Sequence, residues 1–162
     1  MNADALLQTH AEMAVALAGF ASVVAALRRP LSEMTRQRFL SLLALSLIQV
    51  LGCLLPLWST PLFPDEATAW RVLSGFMLLL NAARLRWLVL VPTKALGPSA
   101  RMIMSPTFSR VFYPAASLMF VPLALNVVGA PWSPSFDLYY AGHLWGLVIG
   151  FILFADVVVD KD

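Results

Sequence analysis

The sequence predicts an all-α fold, a polytopic membrane helix bundle with five transmembrane helices, and three observations carry that prediction. Of the 162 residues, 60% are hydrophobic and only 12% are charged. Soluble domains carry roughly 25% charged residues, so this chain has too few to cover a water-facing surface. Apolar stretches long enough to cross the hydrocarbon of a bilayer as helices recur along it. Finally, 10 of the 11 Lys and Arg residues fall on one side when five stretches are threaded back and forth, and only Arg71 falls on the other.

Span one covers residues 5–27. Its cleanly apolar part begins at Met13, which places His10 and Glu12 at or within the interface. Ala11, Ala14, Ala18, Ser22 and Ala25 form a stripe of small residues at helical spacing, and Arg28, Arg29 and Pro30 end the span. These arginines follow the apolar run instead of preceding it, so the run is expected to stay in the mature chain and not to be cleaved as a signal peptide. Span two, residues 39–58, carries Gln49 near its middle, Cys53, and Pro56 near its end. The proline-punctuated turn 59–66 leads to span three, residues 67–91, which is interrupted by Asn81, Arg84 and Arg86. Those two arginines are expected to snorkel to the near surface.

Residues 92–109 form the longest non-spanning stretch, with an interfacial character. Span four, residues 106–128, opens on a proline, as a first helical turn tolerates, and contains Pro114 and Pro122. Span five covers residues 136–158. Along it Gly142, Gly146 and Gly150 recur every fourth residue, a groove in which another backbone can approach closely, with the small-residue stripe of span one, Ala14, Ala18 and Ser22 included, as its mate. The charge split places the N-terminus outside and the C-terminus in the cytoplasm. Trp58, Trp70, Trp132, Tyr139 and Tyr140 then gather at the outer interface as an aromatic belt. A four-span arrangement, with span one lying on the membrane as an interfacial helix, is the alternative.

The polar intramembrane candidates are His143, Glu12, Gln49, Asn81 and Asn126. His143 lies about 10 Å below the outer end at 1.5 Å per residue. Beside a carboxylate such as Glu12 it points to proton sensing or relay; bonded to a backbone carbonyl or to Asn126 it is helix-to-helix glue. His10 and His143 also form the one histidine pair a b-type haem would need, with no motif in support. A metal site from His10, Glu12 and His143 is disfavoured, because residues two apart on a helix diverge by about 200°. No metal and no cofactor is therefore expected. Cys53 has no partner for a disulfide and reads as a small buried apolar residue. Arg84, Arg86, Arg101 and Arg110 form a cytoplasmic, lipid-facing basic set: topology anchors first, a pocket for anionic lipid second. Their siting beside hydrophobic spans argues against nucleic acid as a partner.

No catalytic signature is present: no H-E-x-x-H, G-x-S-x-G, Walker A loop or C-x-x-C. The chain is not expected to be an enzyme. The opening His10-Ala11-Glu12-Met13-Ala14-Val15-Ala16-Leu17-Ala18-Gly19-Phe20, followed by Arg28-Arg29, resembles the first span of small uncharacterised bacterial inner-membrane proteins, which implies that location and no activity. The reading that follows is a small integral protein of the bacterial inner membrane. It works in the bilayer as a homo-oligomer and forms an ion or small-solute pathway between copies, lined by Gln49, Asn81 or His143. The alternative is a non-catalytic scaffold or subunit for an unidentified membrane partner. No internal repeat is visible, which weakens a stand-alone transporter.

Overall fold

A computed structural model of the chain describes residues 2–27, 33–86, 106–129 and 134–159. Among these residues there are five α-helices and no strand. They are α1 (Ala3–Leu27), α2 (Glu33–Ser59), α3 (Glu66–Leu85), α4 (Pro106–Val128) and α5 (Phe136–Val159), with a short 3-10 turn at Thr60–Leu62. Among the described residues, three segments are long and apolar enough to cross a membrane: Ala3–Leu27, Arg38–Leu62 and Phe136–Ala155. A shorter apolar stretch, Ser117–Val128, lies on α4. Residues 87–91 of the expected third span, Arg101, Trp132 and most of the stretch 92–109 lie outside the described residues, as does the side chain of Arg110.

Local chemistry accounts for where the helices start and stop. Asp65 caps α3, its carboxylate accepting from the Thr68 amide at 2.7 Å and from the Thr68 hydroxyl at 2.9 Å. These two bonds, the Thr68 amide first, with a smaller pull from Arg71, hold the Asp65 carboxyl below its ordinary range. Helix α4 ends at Gly129, which turns into the left-handed region at φ 73° while its N–H still reaches the Leu125 carbonyl at 2.9 Å. Ser135 opens α5. Its hydroxyl accepts from the Leu138 amide at 3.4 Å, and its own N–H donates to Asn126 Oδ1 at 2.7 Å.

The five helices pack as one bundle. Helix α1 lies against α2 and α5, α2 also touches α3 and α5, and α4 lies against α3 and α5. The buried face of α1 runs from Leu7 to Ala25, the whole length of the helix. It is made by Ala11, Ala14, Leu17, Ala21 and Ala25, whereas Ala18 is half-buried and Ser22 is exposed, bonding back to the Ala18 carbonyl. The core divides into two clusters. One, built on Leu17, Ala21, Leu42, Leu45, Met119, Ile149 and Leu153, is apolar. The other, at the end carrying the start of α1, contains Leu7, Ile48, Cys53, Trp70, Leu73, Met77, Leu123 and Tyr139 and encloses the polar residues described next.

The glycine groove of α5 is buried, but its occupants differ from the expected mate. A side chain at Gly142 would meet Leu123 of α4 at 2.7 Å, one at Gly146 would overlap the Gln49 amide of α2, and one at Gly150 would meet Leu17 of α1 at 2.8 Å. Three side chains from three helices fill the notches, so the groove is a set of sockets within one protomer, not a rail for one backbone. Two aromatic residues expected at the interface are also core residues. Trp70 and Tyr139 are buried with ring centroids 5.4 Å apart, while Trp58 is 80% exposed.

Candidate functional site

Three helices bring His10, Gln49 and His143 together. His10 sits on the buried face of α1, Gln49 on α2 and His143 on α5, and each is 2% exposed or less. Gln49 Oε1 lies between the two rings, 3.2 Å from His10 Nε2 and 2.7 Å from His143 Nδ1. The rings stand edge to face, their centroids 5.9 Å apart at 88°. Two glycines make room for the arrangement. Gly146 admits the Gln49 amide, and Gly52 admits the Cε1–Nε2 edge of His143 together with the Met77 methyl.

Gln49 Oε1 meets His10 Nε2 and His143 Nδ1, where an amide oxygen accepts. The other two ring nitrogens, His10 Nδ1 and His143 Nε2, are buried and have no hydrogen-bond partner among the described residues. The buried Cys53 lies close to both rings. One ring nitrogen of each histidine and the Cys53 sulfur all fall within 4.8 Å of one another.

Tyr139 ties α5 to α2 beside the cluster. Its ring lies 4.6 Å from that of His143, centroid to centroid, and its hydroxyl donates to the Gly52 carbonyl at 2.5 Å. That carbonyl is available because Pro56, four residues on, has no N–H to give it. The proline opens a gap in the ladder of α2, and a side chain from α5 fills it.

The remaining candidates do not join this cluster. Asn126 does not bond His143; its amide nitrogen donates to Ser74 Oγ at 2.8 Å and to the Ser135 carbonyl at 3.1 Å, clasping α4 to α3 and to the start of α5. Glu12 does not pair with His143 either; it is exposed and accepts from Gln8 at 3.1 Å. His10 and Glu12 point apart, as their spacing requires. Asn81 is buried and donates back to the Met77 carbonyl at 2.9 Å. Arg84, expected to face lipid, is 6% exposed and borders a small apolar pocket between α2 and α3; Arg86 is exposed.

Nor does the geometry suit a haem between the two histidines. The rings stand edge to face with centroids 5.9 Å apart, and one nitrogen of each is engaged by Gln49 Oε1, which leaves no room for a macrocycle between them. Sequence reading singled out His143 and Gln49 but not Gly52, and it set Cys53 aside. The available signal was the spacing of Gly52, Cys53 and Pro56 one turn beyond Gln49.

What fold and site define together is an all-α bundle with a buried, glycine-accommodated pair of imidazoles. No protein family matches the chain, and no curated protein or solved structure matches it either.

Proposed function

We propose that the chain is an integral protein of the bacterial inner membrane. It crosses the bilayer five times, with its N-terminus outside and its C-terminus in the cytoplasm, and it binds a small ligand at the His10–Gln49–His143 cluster inside its own bundle. One observation carries the site: buried polar groups from three helices converge, two glycines are cut to admit them, and two ring nitrogens are left without a partner. Most buried polar groups are bonded, since one without a partner costs about 1–3 kcal/mol, and here two such nitrogens sit together on facing rings. Five spans are supported by α1, whose buried face runs its full length against α2 and α5, as befits a bundle member and not a helix lying on the surface.

A pathway between copies needs Gln49, Asn81 or His143 on an outward face. All three are turned into their own protomer, which favours an internal site over a shared pore. Flux through liposomes by a defined oligomer would reverse that preference, and stoichiometric co-purification of another membrane protein would favour a scaffold.

Two measurements test the proposal. With Cys53→Ala as background, a cysteine at Thr60 should react with an impermeant maleimide in intact spheroplasts, and one at the exposed position Arg36 only after permeabilisation. The triple replacement His10→Leu, Gln49→Met, His143→Leu should unfold in detergent at a temperature no lower than the natural protein, because apolar groups replace unsatisfied polar ones. A loss of several degrees would make the cluster glue.

A further inference from the structure

We infer that the ligand is a single Cu(I) ion, held by one ring nitrogen of His10, one of His143 and the Cys53 thiolate. This rests on the reading of the cluster as a ligand site. Four observations lead to it.

The first is the donor set. Two imidazoles and a thiol, from α1, α5 and α2, offer ligand atoms within 4.8 Å of one another. Around a metal with bonds of about 2.0–2.3 Å such atoms sit about 3.4–3.7 Å apart, so closure takes about an ångström of side-chain movement. The second is that each ring keeps a buried nitrogen with no partner, a group whose burial costs about 1–3 kcal/mol and whose lone pair a bound metal would use. The third lies behind the rings. A histidine that ligates a metal characteristically donates its other N–H to a carbonyl or carboxylate, which sets the tautomer and the ring plane. Gln49 Oε1 accepts from both rings at once, so one side chain orients both ligands.

The fourth observation, the burial of the whole set, chooses the metal. His10, Cys53 and His143 are 2% exposed or less, and no carboxylate is among them. Net charge in such an interior is costly. Cu(I) with one thiolate is neutral, while Zn(II) with the same ligands keeps one positive charge. A thiolate with imidazoles also suits a soft monovalent ion. Binding breaks the Cys53 S–H bond and forms a sulfur–copper bond. One proton leaves per ion, and no oxidation or reduction takes place.

The test uses the full chain, purified in detergent without oxygen and titrated with Cu(I) supplied as its acetonitrile complex against a coloured chelator. One ion per protomer is expected. X-ray absorption of the natural protein should show a three-coordinate Cu(I) edge, with two nitrogen scatterers and one sulfur. Cys53→Ser should remove the sulfur scatterer and weaken binding at least about 100-fold. Gln49→Leu, a change in a positioning residue, should weaken it about 10–100-fold while keeping all three scatterers. No uptake at stoichiometric copper, uptake without a sulfur scatterer, or preferential retention of Zn(II) would each overturn the assignment. The underlying site reading is decided separately by the metal-free thermal comparison, so the two fail independently.

Discussion

Pro56, Gly52 and Tyr139 show how one residue's deficiency becomes another's role. Pro56 withholds a hydrogen bond from the Gly52 carbonyl, and the Tyr139 hydroxyl supplies one from the neighbouring helix. Tyr139→Phe should therefore destabilise the bundle by about 1–3 kcal/mol, the penalty for a buried carbonyl left bare. In a Pro56→Ala background the restored amide can serve Gly52, and the same tyrosine change should cost markedly less. Equal costs in the two backgrounds, measured by unfolding in detergent, would remove the proposed compensation. Gly52 has a second duty, since a methyl there would overlap the His143 ring and crowd the Met77 methyl. Gly52→Ala should thus destabilise by about 1–3 kcal/mol through overpacking and turn His143 away from Gln49. A histidine side-chain NMR spectrum unchanged from the natural protein would contradict this.

At the level of single helices, the ends are where charge and backbone chemistry decide. Because the Asp65 carboxyl titrates below its ordinary range, its charged cap supports α3 fully above that range, and the support is lost as pH falls through the depressed value. The melting temperature of the natural protein should exceed that of Asp65→Asn at neutral pH, with the gap closing under acid conditions. A gap that ignores pH would rule out the charged cap. Gly129 closes α4 in a conformation that costs other residues about 1–2 kcal/mol, and Gly129→Ala should lower stability by that amount. Helix boundaries were legible for clear reasons. The span expected at residues 106–128 coincides with α4, and that expected at 136–158 differs from α5 by one residue, since Pro106 opens the first and a proline-bearing turn precedes the second. Groove occupancy was not legible. Spacing reveals that Gly142, Gly146 and Gly150 share a face, but not that three different helices each send a side chain into it.

For the molecule as a whole, the residues of the cluster collect at one end, while the buried Asn81 and Arg84 lie late in α3, toward the other. His10 near the start of α1, Gln49 and Cys53 late in α2, Trp70 early in α3, Asn126 late in α4 and His143 early in α5 share a level because successive helices run in opposite directions. That alternation could be read from the sequence through the distribution of Lys and Arg. Which polar residues meet could not be read, because it depends on helix rotation. Asn126 met Ser74 and Ser135 instead of His143, and Arg84 turned inward where its neighbour Arg86 turned out.

The split between a cluster of directional bonds and a purely apolar one has a consequence for mutational tolerance. Contacts among Leu17, Ala21, Leu42, Leu45, Met119, Ile149 and Leu153 depend on volume, and many combinations of aliphatic residues fill a volume equally well. A randomised library confined to those positions should return a high proportion of folded members. The same diversity at Gly52, Tyr139 and Gly146 should return few, because a side chain at either glycine would overlap one from another helix and the Tyr139 hydroxyl answers the Gly52 carbonyl.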